Sequence, residues 1–181
     1  MLHIDCPEYA DLRRILRKKD EWLLVQDYSF RLYQDNELIF ELVIKRGFVL
    51  DFASVPWLFR GLIPKVGQKS DGGALVHDAG YAIEAASRFA LDKIFELMLK
   101  HFEVNRLKTD AMYSAVRVGG WYTWRKHTKQ SIADNQQFVQ VLHIAHNLDK
   151  RLNDAFIARP NPNDPYQLDA MLKQLPSEYK L

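Results

Sequence analysis

The run Ala74-Leu75-Val76-His77-Asp78-Ala79-Gly80-Tyr81 sets an imidazole and a carboxylate side by side in an otherwise apolar stretch, with a phenol four residues after the imidazole. Imidazole exchanges its proton near neutral pH, so His77 is the natural group for acid–base work. In a helix His77 and Tyr81 share a face, and Asp78 points about 100° away around the axis. Asp92 supplies a second carboxylate. On one continuous helix it would lie about 22 Å from His77. The stretch Glu84-Ala85-Ala86-Ser87-Arg88 reads instead as a break, with Ser87 as the N-cap of a following helix. His77 and Asp92 are equidistant from the Glu84–Ala85 bond, so an antiparallel helical hairpin would bring them level, and Tyr81 level with Arg88. A carboxylate beside an imidazole fixes its tautomer and raises its basicity. Asp51, ahead of Ala53-Ser54-Val55-Pro56, is a further carboxylate able to turn back toward these helices. The same residues also fit a structural reading, in which His77 is a buried, hydrogen-bonded core residue and Asp51 caps a turn.

The elements that must hold these groups follow from periodicity. Leu12, Ile15 and Leu16 fall at helical spacing and predict a short amphipathic helix over 8–20. Trp22, Leu24, Tyr28, Phe30 and Leu32 then occupy even positions, a half-buried strand with Gln26 as a flaw. Gln34-Asp35-Asn36 signals a turn, and Leu38, Phe40, Leu42 and Ile44 alternate with polar residues, so a β-hairpin is expected. Gly47 breaks the pattern, and Phe48–Phe52 suggests a third short strand. Helices are expected over 73–84, 87–102, 106–125 and 131–157. The Pro/Asn-rich tail 159–181 cannot continue the last of these, though a short helix is expected near 166–174. Strands followed by helices give an α+β fold: a small antiparallel β element packed against a mainly helical bundle, in one domain over 1–158.

Composition narrows the partners. The chain has 181 residues, 48% hydrophobic and 27% charged, enough for a packed core. Its formal charge of +2 offers no broad field for nucleic acid. The one cysteine, Cys6, excludes an internal disulfide and suits a reducing compartment. Neither a signal peptide nor a transmembrane run is visible, so a cytoplasmic protein is expected. The cluster Trp121, Tyr122, Trp124, Arg125, Lys126 reads as a helix end, with aromatics packed inward and cations serving the last carbonyls. His143 and His146 are three apart on an expected helix, but no acidic or cysteine partner stands at a matching step, so no zinc site is expected.

Gly47-Phe48-Val49-Leu50-Asp51-Phe52-Ala53-Ser54-Val55-Pro56, Ala74–Tyr81, Ser87-Arg88, Asp92–Phe95 and Tyr113–Gly119 together resemble the domain of unknown function 1353 family, common in tailed phages and prophages. The resemblance spans roughly 22–125. It departs at Leu50, where the family usually has Thr, and at Gly80, where it usually has a bulky residue. It implies a phage or prophage accessory protein, with another phage or host protein as partner. His-Asp-x-x-Tyr followed by an Asp on a second helix is also similar to the core of secreted phospholipases A2. That likeness implies a divalent-cation-assisted hydrolase: His77 as general base, Asp92 orienting it, Tyr81 donating a supporting hydrogen bond, and Asp78 as ligand to calcium or magnesium. Those enzymes are disulfide-rich and carry a glycine-rich calcium loop; this chain has one cysteine and no clear loop equivalent. The alternative is non-enzymatic, a virion or assembly component or a host-defence antagonist. In that case the same residues form a structural polar core, in the host cytoplasm or the virion.

Overall fold

A computed structural model describes residues 1–16, 21–50 and 70–157. The alternating run after Tyr28 forms strand β4 (Tyr28–Gln34), which turns into β5 (Glu37–Ile44). The loop is the two residues Asp35 and Asn36, both at positive φ (50° and 68°), the conformation whose twist matches the two strands and which Asp and Asn tolerate. The register pairs Phe30 with Leu42 and Tyr28 with Ile44, and Tyr28, Phe30, Leu32, Phe40, Leu42 and Ile44 enter one core; a register shift between Leu32 and Tyr33 breaks the alternation, so that Ile39 is buried and Leu38 is only half-buried. Before the hairpin lie β1 (Leu2–Asp5), β2 (Leu12–Arg14) and β3 (Trp22–Leu24), and after it β6 (Val49–Leu50). The flaw at Gln26 marks a real interruption, because β3 ends at Leu24 and β4 begins at Tyr28. Gly47, at φ +95° and under the Phe138 ring, makes the turn between β5 and β6 that a side chain would strain.

The helices are α1 (Asp71–Ala82), α2 (Arg88–His101), α3 (Arg106–Arg125), α4 (Lys129–Gln136) and α5 (Leu148–Ile157), with strand β7 (Val139–Ile144) between the last two. Among the described residues all pairing is antiparallel, in a four-stranded sheet ordered β1-β4-β5-β7 and a three-stranded sheet ordered β2-β3-β6. α1 lies against β5 and β6, and α2 packs between α1 and α3. The main core joins sheet residues such as Phe30, Phe40 and Leu42 to Leu75, Val76 and Leu91 of the helices. The architecture is thus the expected α+β arrangement. None of the helices among the described residues is long and apolar enough to cross a membrane.

Three expectations are corrected. The helix over 8–20 is not formed: Leu12–Arg14 is a strand paired with β3, and residues 17–20 lie outside the described residues. The helix over 131–157 is broken by β7, which pairs with β5 and satisfies that strand's second edge. His143 therefore sits on a strand and His146 in the loop after it, so the two do not share a helix face. At the end of α3 only Trp124 packs inward, while Trp121 and Tyr122 are exposed. The third strand is confined to Val49–Leu50; the remainder of that stretch, and the tail from 158, lie outside the described residues.

Candidate functional site

The break at Glu84–Ala85 is a reversal. Glu84 takes a positive φ of 52°, and the Ser87 side chain accepts a hydrogen bond from the Ala90 amide, capping α2 as its residue type predicts. α1 and α2 run antiparallel, and the equal spacing about the turn has the expected consequence. His77 Nε2 lies 3.0 Å from Asp92 Oδ1. Close approach of the helices is enforced at Gly80, where a Cβ would stand 2.6 Å from Leu91 Cδ2.

Asp92 is the hub. Its Oδ1 accepts from His77 and, at 2.6 Å, from the Tyr81 hydroxyl. Its Oδ2 accepts from Arg117 Nη1 at 2.8 Å. The Arg117 carbonyl in turn accepts from Arg88 Nη1 at 2.9 Å. Three helices thus meet on one carboxylate that is 0% exposed. The His77 ring lies over Tyr81, with centroids 4.2 Å apart, and the Tyr81 ring meets Trp124 edge-on at 5.0 Å. The other side of the imidazole is looser. Nδ1 is 3.5 Å from Asp78 Oδ1, at the outer limit for a hydrogen bond, and Asp78 keeps 14% of its side chain accessible.

Electrostatics sets the protonation. Burial opposes a charge on His77, but its hydrogen bonds to Asp78 and Asp92 outweigh that and push its pKa up to about 9. Burial likewise resists ionisation of Asp92, yet the hydrogen bonds and charge it receives from His77, with those from Tyr81 and Arg117, hold its carboxyl below the ordinary carboxylate range. Burial, and then the neighbouring Asp92 charge, raise the Tyr81 phenol, so it stays a neutral donor. At neutral pH the Asp92 carboxylate faces the His77 imidazolium and the Arg117 guanidinium.

Four of the five residues singled out in the sequence are therefore neighbours: His77, Asp78, Tyr81 and Asp92. Asp51 lies outside the described residues. Arg117 is the member that sequence reasoning missed. The signal was present, since Asp92 and Arg117 are equidistant from the Val104–Asn105 bond, where α2 gives way to the Asn105-capped α3. A hard divalent cation needs six or more oxygen ligands. Here the described residues offer Asp78 beside an Asp92 whose two oxygens are already engaged, and nowhere among them do three metal-ligating side chains converge. The described residues alone do not make a calcium cage, whereas magnesium keeps several of its waters and is held by as few as one or two carboxylates. A cavity of about 310 Å³ lined by Cys6, Glu8, His101, Phe102 and Glu103 shares no residue with the network.

α3 is pressed tightly onto the site. A Cβ on Gly120 would stand 2.6 Å from the Tyr81 hydroxyl and 3.2 Å from its ring, and Tyr81 is held on both sides and cannot yield. Gly120→Val should lower the stability to urea unfolding by about 1–3 kcal/mol, because the clash exceeds the few tenths that a better helix former returns. Unchanged stability would mean that α3 does not press on Tyr81.

The site lies inside a recognised sequence unit. A family model described as "Protein of unknown function (DUF1353)" matches residues 22–116, which includes His77, Asp78, Tyr81 and Asp92 and ends one residue before Arg117. No curated protein and no solved structure matches the chain. Because the match covers more than half of the sequence and contains the whole hairpin, the chain belongs to the DUF1353 family of proteins of unknown function.

Proposed function

We propose that this chain is a phage or prophage accessory protein that hydrolyses its substrate at the Asp78 side of His77. One observation carries the reading: the network is saturated on one side of the imidazole and slack on the other. Nε2 is locked to Asp92, whereas Nδ1 faces a partly accessible carboxylate across 3.5 Å. An imidazole fixed through one nitrogen, with the other able to exchange a proton, is the working part of an acid–base site. The likeness to phospholipases A2 supports the same roles, with Asp92 orienting the ring and Tyr81 bracing Asp92. With its pKa at about 9, the ring meets substrate as a proton donor at neutral pH, and acts as a base in proportion to its neutral fraction as pH rises. The phage setting, and with it the host cytoplasm, rests on the family resemblance.

A second reading is favoured by burial. His77 is 3% exposed and Asp92 is fully enclosed, as a structural polar core in a virion component or host-defence antagonist would have them. The two readings separate on purified protein with chromogenic carboxylic-ester, phosphodiester and amide substrates, with and without calcium or magnesium. The hydrolase reading expects turnover that falls by at least about 100-fold in His77→Gln while the variant protein stays folded. Equal rates in the two proteins, or none on any substrate with melting of the variant lowered, would move the assignment to the structural core. Calcium or magnesium should raise the melting temperature of wild type and not of Asp78→Asn if Asp78 is a ligand.

A further inference from the structure

We infer that the outer face of α3 binds an anionic membrane surface. Residues 118, 121, 122 and 125 stand at i, i+3, i+4 and i+7 and so share one face. Val118 is 68% exposed, Trp121 42% and Tyr122 60%. The opposite face of the same helix is spent on the core through Met112, Tyr113, Val116 and Gly120. Large aromatic residues left in water beside an aliphatic one, when the helix has already buried its other side, call for an occupant.

Charge says which. Between residues 106 and 136 there are six Lys or Arg against two Asp, leaving nineteen basic against twenty-one acidic residues in the rest of the chain. The nearly neutral protein thus concentrates its positive charge on α3 and the start of α4. Arg125 lies 4.7 Å over the Trp121 ring and Lys126 3.9 Å over Tyr122, and neither cation has an ion-pair partner among the described residues. Trp and Tyr flanked by Lys and Arg is the composition that settles at the boundary between lipid headgroups and acyl chains. Single-stranded nucleic acid fits less well: the cations already cover ring faces on which bases would stack, and Val118 offers methyl groups instead of a π surface. A second copy of the chain also fits less well, because a two-fold contact would bring Arg125 and Lys126 of both copies into one interface, and residues 111–133 carry no Asp or Glu to pair with them.

The inference does not depend on the reaction at His77 and is tested without turnover. Full-length protein is sedimented with phosphatidylcholine vesicles and with phosphatidylcholine/phosphatidylserine vesicles at low and high salt. Binding is expected to the phosphatidylserine vesicles, to weaken at high salt, and to fall about fivefold for each cation lost in Arg125→Gln and Lys126→Gln. Trp121→Ala with Tyr122→Ala should abolish it with no change in melting temperature, since both side chains are exposed. Binding that ignores phosphatidylserine, or that survives the aromatic double variant, overturns the inference. So does size-exclusion chromatography showing a dimer that Trp121→Ala dissociates, or an oligothymidylate bound more tightly than the vesicles.

Discussion

Asp92→Ala is expected to lower the free energy of unfolding by about 3–5 kcal/mol, the range found when one partner of a buried ion pair is removed and the other stays. The reason is what remains. Alanine would leave the His77 imidazolium, 3% exposed, and the Arg117 guanidinium, with 16% of its side chain exposed, facing one another across the site. Arginine cannot discharge itself, so His77 would shed its proton, and its pKa should fall well below the present value of about 9. Tyr81 would lose its acceptor as well. Urea unfolding reads the loss, and histidine titration by NMR reads the charge. Asp92→Asn keeps the shape and one acceptor oxygen but removes the charge, so it separates packing from electrostatics. If the site is catalytic, the asparagine variant should lose activity while remaining folded under assay conditions. A cost near 1 kcal/mol for Asp92→Ala, the scale of one ordinary neutral hydrogen bond, would show that the network contributes little to holding the three helices together. A double-mutant cycle with His77→Gln then isolates the pair: if their interaction is strong, the double variant should be markedly more stable than the sum of the single losses implies.

The parts of the fold that were legible from sequence are those whose local signal and tertiary role agree. The β4–β5 register follows, as far as the shift between Leu32 and Tyr33, from alternation plus a two-residue Asp-Asn turn. The α1–α2 hairpin follows from the Ser87 cap, and the His77–Asp92 contact follows from the hairpin by counting. Where local signal was thin, the tertiary structure decided. Leu12, Ile15 and Leu16 are too few to fix a period, and the three residues of β2 are held by pairing with β3. Phe138–Ile144 carries Val139 and Val141 two apart, a strand signal. It was overridden by the long helical texture on both sides, and only the edge of β5 makes it a strand. Burial direction is the other thing that counting does not supply. Trp121, Tyr122 and Trp124 look alike in sequence, but Trp124, one turn after the buried Gly120, meets Tyr81, and the other two are left in solvent. Arg117 was reachable by the same equidistance that found Asp92, applied to the next turn.

Stability should fall as pH rises from about 6.5 to about 9, by about 3 kcal/mol in all, and this alkaline limb should vanish in His77→Gln. In the unfolded chain a histidine titrates near 6.5, whereas folded His77 titrates at about 9. Between those values the native state holds a proton that the unfolded state has released. The extra stability is therefore complete below 6.5 and is lost as pH climbs through 9. Asp92 works in the opposite sense: its folded pKa lies below its unfolded value, so its contribution is complete above the ordinary carboxylate range and is lost as the solution becomes more acidic than that. Of these two groups, His77 alone sets a slope on the alkaline side and Asp92 alone on the acid side, with a plateau near pH 5–6. The measurement is urea unfolding at several pH values from 4 to 10 for wild type and His77→Gln. The glutamine side chain can donate a hydrogen bond toward Asp92 but does not titrate, so the variant should be less stable at pH 6 and flat from there to 9. A wild-type profile that is flat across that interval would mean that His77 is neutral in the native state. In that case Asp92 would be balanced by Arg117 alone, and His77 would meet a substrate as a base without first having to lose a proton.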